Sequence, residues 1–562
     1  MRTVHRESVR AILGAAILLS AGCSPDAGSG LFVDITDSAG LDFTHFTEAD
    51  GSYFMPESIG SGGGFLDYDN DGDLDIYLIN GAPRPGGRSG STPTNRLFRQ
   101  KKDGTFEDVT AESGLGDAGF GFGMGVAAAD MDNDGDVDLY VTNFGPDRLY
   151  LNNGDGTFSD VTARAGVNNG LWGCSAVFVD VDRDGWLDLF VTNYVAYDPS
   201  NLCMDRAGRP DYCGPDGFSG TPDKLFRNRG DGTFEDISRK SGIASALSKG
   251  MGVVAEDLNS DGWPDIYVAS DGTPNHLWIN QSDGSFRGEA LLLGAAVNGM
   301  GQAEAGMGIA LGDLDGDLDS DLFVTHLRLE TNTFYRNAGA VGFVDDTTPA
   351  GLGGPSTPYT GFGTSVFDFD HDGDLDIAVV NGRVTRGPLL TGGSTPSYWD
   401  DYAEPNLLFE NDGAGRFRDI SDGAEAFAGI VENSRGLAVG DVDSDGDLDM
   451  LVTNEGGKAR LYRNDSSKEG NWVVIDALLP QLNRTAIGAV VTVHAGGKRF
   501  VRTVHRGGSY LSTQAVRAHF GLGSANALGS ITVRWPDGEE ETFPGGDVNR
   551  FITVMQGGGI AL

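Results

Sequence analysis

From residue 31 to 467 short apolar runs recur, each broken by Gly, Asp or Asn. Gly-rich apolar stretches such as Gly123 to Ala129 and Gly306 to Leu311 come first in each repeat. Runs of the type Leu139-Tyr-Val-Thr-Asn, Leu189-Phe-Val-Thr-Asn and Ile266-Tyr-Val-Ala-Ser follow. An Arg-Leu-Tyr-Leu-Asn-Asn type segment comes next, and Gly-Asp-Gly-Thr-Phe with Asp-Val-Thr ends the unit. Short β-branched and aromatic runs bounded by turn formers predict antiparallel strands and hairpins. Four strands per unit make one propeller blade.

Between the first and second run of every unit stands D-x-D/N-x-D-x-x-x-D, seven times in all. The first loop carries Asp67, Asp69, Asp71, Asp73 and Asp75, with Gly72 at its sixth position. The second has Asp130, Asp132, Asp134, Asp136 and Asp138. The third has Asp180, Asp182, Asp184, Trp186 and Asp188, and the fourth Asp257, Asn259, Asp261, Trp263 and Asp265. The fifth has Asp313, Asp315, Asp317 and Asp321, with Leu318 where Gly belongs and Gly316 two residues early. The sixth has Asp368, Asp370, Asp372, Asp374 and Asp376, and the seventh Asp441, Asp443, Asp445, Asp447 and Asp449. Carboxylates at alternate positions repel one another in a bare loop. A hard dication resolves this, since Ca²⁺ takes six to eight oxygens from side chains at positions 1, 3, 5 and 9 and a carbonyl at 7. Position 7 is free to vary if it gives only its carbonyl, which suits Trp186 and Trp263. Up to seven Ca²⁺ sites are expected, the fifth the most irregular.

Loop starts lie 63, 50, 77, 56, 55 and 73 residues apart, a propeller-like period. Outer-strand sequences of the type Phe-x-Asp-Val-Thr occur near Phe106, Phe158, Phe234, Phe343 and Phe417, with a weaker copy at Phe286. One more, Phe32-Val-Asp-Ile-Thr, precedes the first loop, while the seventh unit ends at Ala459-Arg-Leu-Tyr-Arg-Asn without its own. The N-terminal strand is therefore expected to complete the last blade and remove an open edge. The fold class read here is all-β: a seven-bladed β-propeller over 31–467, then a small β-domain over 468–562.

The 82 acidic and 40 basic residues give a net charge of −42, and 32 of the acids lie in the seven loops. Such acidity excludes a nucleic-acid partner, which needs a basic footprint, and electrostatic docking to anionic membranes. The 86 glycines suit tight turns and closely packed strands. No phosphate-binding loop or dinucleotide fingerprint is present in a strand–helix context.

Arg2, Arg6 and Arg10 precede the apolar stretch Ala11 to Leu19, too short to span a bilayer. Ser20-Ala21-Gly22-Cys23 resembles the bacterial lipobox, although Ser20 stands where Leu is usual. Residues 1–22 are thus expected to be a lipoprotein signal peptide, Cys23 the lipidated N-terminus and 23–30 a tether. This places the protein outside the cytoplasm, lipid-anchored on a bacterial envelope and at the outer-membrane surface. Cys203 and Cys213, in a Pro-, Gly- and Asp-rich insertion, are expected to form a disulfide in such a compartment. Cys174, in an apolar run, reads as a buried small hydrophobe.

After Asn464 the loops cease and the charge evens out, with eight basic and six acidic residues from Gly470 to Leu562. Trp472-Val-Val-Ile-Asp, Ala489-Val-Val-Thr-Val-His, Val501-Arg-Thr-Val-His and Ile531-Thr-Val-Arg-Trp predict an all-β module large enough for its own core. Asn471-Trp472, Asn483-Arg484-x-Ala486-Ile487-Gly488-Ala489, Gly508-Ser-Tyr-Leu-Ser512, His519-Phe-Gly-Leu-Gly523 and Val533-Arg-Trp-Pro-Asp-Gly538 resemble the ASPIC/UnbV domain. The acidic loops are similar to the FG-GAP/VCBS repeats that precede that domain in the cartilage acidic protein family. Gly60 to Asp75, Tyr212-Cys213-Gly214-Pro215 and Pro405-Asn-Leu-Leu-Phe-Glu-Asn add to the resemblance. It implies a secreted or surface calcium-binding propeller used for binding rather than chemistry.

Two function classes follow. One is a monomeric surface binding or adhesion module that engages an extracellular protein or glycan. The other is an exported calcium-dependent polysaccharide lyase or dehydratase. Against catalysis, His45, His276, His326, His371, His494, His505 and His519 are scattered and form no nucleophile or zinc motif. His45 with Glu57 is the pair to test first for activity. The insertion from Arg383 to Glu404, with Tyr398, Trp399 and Tyr402, reads as a sugar platform if exposed and as a packed cover if buried.

Overall fold

The computed structural model describes residues 30–84, 86–87, 93–116, 121–390, 398–466 and 470–562. Cys23, the leader and most of the tether lie outside them. Among the described residues the chain is nearly all β. Seven sheets, each with four antiparallel strands, follow one another from the first loop to the seventh, the first also taking a fifth, parallel strand. The second is typical: Phe122–Ala129 enters the acidic loop, Asp138–Phe144 leaves it, and Arg148–Asn152 and Phe158–Asp160 complete the meander. The first strand of each sheet packs beside that of the next, and the seventh beside the first, so the sheets make a closed ring of propeller type. Phe32–Asp34 pairs antiparallel with Arg460–Asn464 and supplies the seventh sheet's outer strand.

Each sheet is covered on both faces, which is why its inner strands read as unbroken apolar runs. Phe65, Ile76 and Phe98 pack toward the seventh sheet, with Leu451 and Leu461. Their neighbours Leu66, Tyr77 and Leu97 pack toward the second, with Val126 and Leu139. One such cluster fills each of the seven junctions.

A second regularity ties the sheets laterally. The last residue of each third strand is Asn, or Gln100 in the first sheet. Its side-chain amide donates to the main-chain carbonyl at loop position 2 of the preceding sheet: Asn152 to Tyr68 at 2.8 Å, Asn228 to Met131 at 2.8 Å, Asn280 to Val181 at 2.9 Å. Asn337, Asn411 and Asn464 continue the series to Leu258, Leu314 and Phe369. Gln100 closes it by reaching Val442 of the seventh sheet at 2.8 Å.

Residues beyond Trp472 form a two-sheet sandwich. One sheet holds Trp472–Leu479, Arg484–Thr485, Ala518–Gly521 and the parallel strand Arg550–Met555. The other holds Val490–Ala495, Lys498–Thr503, Leu528–Arg534, Glu540–Gly546 and Ile560–Ala561. Its own core runs from Val473 to Trp535 and Phe543. The sandwich does not stand apart from the ring. Residues 509–515 leave the sandwich and enter the middle of the ring, where Tyr510 and Leu511 are buried among Met55, Ile59, Met124, Trp172, Met307 and Phe362. Ser512–Thr513 pairs parallel with Gly63–Leu66, and Ser509 exchanges main-chain bonds with Ile309. A glycine at 64 permits the approach, because a Cβ there would lie 2.0 Å from the Thr513 carbonyl oxygen.

Candidate metal centres

All seven loops share one backbone. Positions 4 and 6 are left-handed: Asn70 and Gly72 (φ 58° and 93°), Asn133 and Gly135, Arg183 and Gly185, Ser260 and Gly262, His371 and Gly373, Ser444 and Gly446. The fifth loop keeps the pattern with Gly316 and Leu318 (φ 79° and 82°). Gly316 is therefore not displaced. It fills position 4, and Leu318 holds a left-handed conformation that costs about 1 kcal/mol for a residue with a Cβ.

The position-1 carboxylate braces the turn. Asp67 accepts from the amides of Asp71 and Gly72 at 3.1 and 3.0 Å, and Asp130, Asp180, Asp257 and Asp441 repeat both bonds. Asp313 and Asp368 brace the fifth and sixth turns through Gly316 and Gly373. The position-5 carboxylate accepts the amide of position 7 in every loop, so Trp186 and Trp263 donate to Asp184 and Asp261. Their indoles pack elsewhere. Trp263 lies under the Arg183 guanidinium at 4.6 Å, and Trp186 lies against Gly230.

Position 9 plays a second part that the spacing did not show. Asp75 accepts the Tyr68 amide at 3.1 Å through one oxygen and the Gln100 amide at 2.8 Å through the other. Asp138, Asp188, Asp265, Asp321, Asp376 and Asp449 do the same with their own loops and third strands. Each is a hub between loop and sheet as well as a candidate ligand.

Position 3 is where oxygens go unanswered. One oxygen each of Asp69, Asp132 and Asp182 is buried without a hydrogen-bond partner, as is one of Asp368 at position 1. Oxygens of Asp67, Asp69 and Asp71 lie within 4.8 Å of one another. So do those of Asp130, Asp132 and Asp138, of Asp180, Asp182 and Asp188, of Asp313, Asp315 and Asp321, and of Asp368, Asp370 and Asp376. Burial first, then the neighbouring carboxylates, pushes Asp130 and Asp441 up to about 7 and Asp368 to about 8. An all-oxygen set of converging acids, held apart by its turn and short of donors, fits a hard divalent cation.

The fourth loop fits less well. Asn259 turns its amide onto Asp261, and Arg534 of the sandwich pairs with Asp257 at 3.0 Å. The fifth, with the most irregular sequence, keeps its cluster.

Other expected groups settle as follows. Cys203 and Cys213 are bonded, and Cys174 is free and buried. His45 and Glu57 do not pair: His45 Nδ1 stands 3.3 Å from Glu455, while Glu57 accepts the amides of Glu48 and Ala49. Tyr212, Trp399 and Tyr402 are buried together, with Trp399 and Tyr212 stacked at 5.8 Å, so the described part of the Arg383 insertion packs as a cover. Sequence reading missed the amide series and the Glu455 partner. The Asn that ends each third strand was the visible trace of the first.

A sequence model described as the FG-GAP-like repeat matches 67–141, 130–191, 204–268, 257–324 and 313–379. Four of those matches begin at the first Asp of a loop. A model described as ASPIC and UnbV matches 479–561. The chain is 26% identical over 390 residues to cartilage acidic protein 1 of Homo sapiens, covering 63% of this chain and 53% of that protein. Against the Mus musculus protein it is 27% identical over 384 residues, covering 57% and 58%. It thus spans a little over half the length of these curated relatives. Among solved structures, an Agrocybe aegerita protein that recognises non-reducing terminal N-acetylglucosamine superposes with a TM-score of 0.38 at 18% identity, over 64% of this chain and 79% of that one. A Bacillus licheniformis rhamnogalacturonan lyase gives 0.38 at 14%, over 78% and 76%. At these scores neither bears on what this chain binds.

Proposed function

For a chain that belongs to the FG-GAP-like repeat family and ends in an ASPIC and UnbV domain, we propose the role of a calcium-loaded binding module. We read the ring as a seven-bladed propeller whose loops hold Ca²⁺ for structure, leaving its exterior to engage an extracellular protein or glycan. The observation that carries the metal reading is the row of buried, unanswered oxygens on Asp69, Asp132 and Asp182, repeated at equivalent places in three successive loops. A buried carboxylate oxygen without a donor is costly unless a cation meets it. Asp67 to Asp75 and their counterparts would hold the ion, which would neutralise their mutual repulsion and hold each hairpin shut.

Export and lipidation at Cys23 belong to the same reading, supported by the Cys203–Cys213 bond, which persists in oxidising compartments. Fatty-acid labelling of the wild type and its loss in Cys23→Ala would support the anchor, and an unlabelled, freely secreted wild type would exclude it. For the metal, element analysis after dialysis should find several Ca²⁺ per chain. None bound at millimolar Ca²⁺ would end the proposal. Binding to arrays of glycans and surface proteins, with Ca²⁺ and with chelator, then tests the module.

A further inference from the structure

The sandwich sits on the loop face, and its polar contacts go to particular atoms. Arg517 donates to the Gly72 carbonyl at 3.3 Å, Asn483 to that of Asp134 at 2.7 Å, and Arg484 to that of Gly185 at 3.2 Å. His519 Nε2 lies 2.9 Å from the Gly446 carbonyl, and the Gly523 amide donates to that of His371 at 2.9 Å. All five acceptors are main-chain carbonyls at loop positions 4, 5 or 6. They lie in the tight turn that the left-handed residues at positions 4 and 6 make. An opened loop would turn them away.

Charge follows the same face. Of the eight basic residues in the sandwich, five arginines are set against the loops. Besides Arg484 and Arg517, Arg534 pairs with Asp257, Arg502 stands opposite Asp313 and Asp368, and Arg506 opposite Asp67. From this platform residues 509–515 enter the ring. There Leu511 accepts the Val126 amide through its carbonyl, and the Tyr510 hydroxyl donates to Ile59 at 2.9 Å. The sandwich therefore reads the closed shape of loops in five different sheets while its own strand fills the ring's middle.

We propose that the C-terminal sandwich is the second half of the metal centres: cation binding and its seating on the ring are one coupled event. The loops present their carbonyls when closed around an ion, and the seated arginines in turn hold them closed. Arg484 and Arg517 are positioning residues in this scheme, since they bond loop carbonyls and, for Arg484, the Asn133 side chain at 2.7 Å, rather than the converging oxygens. The inference rests on the calcium reading above.

By reciprocity, whatever factor the ion adds to seating, seating adds to ion affinity, typically about five- to hundred-fold. The test uses the full chain. Calorimetry with Ca²⁺ gives stoichiometry and affinity, and hydrogen exchange with Ca²⁺ or chelator follows peptides from 482–485 and 504–516. Chelation should release protection in both peptides together with the loops. Arg484→Gln should keep the stoichiometry but lower the affinity at least fivefold, and Arg484→Lys should recover part of it. If Arg484→Gln does not fold, the more exposed Arg517→Gln serves. Protection of 504–516 that survives proven loss of the ion overturns the coupling, as does wild-type affinity in the arginine variant. A wild type that takes up no cation overturns the calcium reading and this inference together, whereas uptake without coupling overturns only this one.

Discussion

The ring's two faces bury acids in two different ways. On the loop face Asp69, Asp132 and Asp182 turn oxygens toward other carboxylates and away from any donor. On the opposite face several acids are answered, although Glu455 is buried there with only His45 Nδ1 beside it at 3.3 Å. Asp147 accepts the Asn143 amide, the Tyr140 hydroxyl and the Asn169 amide group, and Asp223 accepts the Asn193 amide and the Ser248 hydroxyl. Glu404 takes the Thr360 amide at 2.7 Å and Arg383 at 2.9 Å. Burial lifts both sets alike, with Asp130 on one face and Asp223 on the other each pushed up to about 7. A raised pKa thus does not mark a metal site here. Nor does an unanswered oxygen alone, since Glu455 carries two away from any loop; recurrence at one position in successive loops does.

The largest expected effect separates the faces outright. Each occupied site stabilises the folded ring by about 2.7 kcal/mol at a hundredfold excess of ion over Kd. Several together rival the ~5–15 kcal/mol margin of a domain, so chelation should collapse the thermal transition, with Mg²⁺ restoring little of it. An unchanged melting curve after proven removal of the ion would erase the distinction between faces. Next, Asp132→Asn should lower stability by about 2–3 kcal/mol in Ca²⁺ and little in chelator, because it weakens one site. Equal losses in both conditions would show that Asp132 is purely architectural.

On the answered face the sign reverses. Asp223 is held near 7 against about 3.9 unfolded. The folded protein therefore keeps a proton that the unfolded chain loses, and this contribution to stability fades as pH rises from about 4 through 7. Asp223→Asn, whose amide can accept from Asn193 and meet a reoriented Ser248 hydroxyl, should raise stability by roughly 1–3 kcal/mol at pH 8. It should change little below pH 4. Denaturant titrations at the two pH values decide this, and a loss at pH 8 would refute it. The smallest effect lies within the loop face. Leu318→Gly should stabilise the fifth loop by about 1 kcal/mol by relieving its left-handed strain, without altering ion stoichiometry.

The loops, the closing strand Phe32–Asp34 and the Cys203–Cys213 bond were legible because each is written in spacing or local composition. What stayed hidden depends on distant partners. Glu455 meets His45 from more than four hundred residues away, and no local pattern marks it. Tyr510 and Leu511 carried a family motif, but only the folded ring shows that they fill its middle. The fifth loop misled because Leu318 keeps a backbone shape its residue type disfavours, and neighbouring contacts can hold a residue against that preference. The fourth looked regular, and only the approach of Arg534 set it apart.

The seventh sheet's outer strand has one further consequence, for the order of assembly. Phe32–Asp34 waits for Arg460–Asn464, so a chain emerging from its N-terminus carries an unpaired edge until six sheets and most of a seventh have been made. Contacts this far apart in sequence form slowly, since the entropy of closing so long a loop is lost before any pairing repays it. Gln100 and Val442 must join in the same step. Until then the first sheet's flank and the middle of the ring lie open, and the strand Ser512–Thr513 has no complete cavity to enter. Closure is therefore the committing event, and a chain interrupted before Arg460 would leave adhesive edges that invite association with other chains.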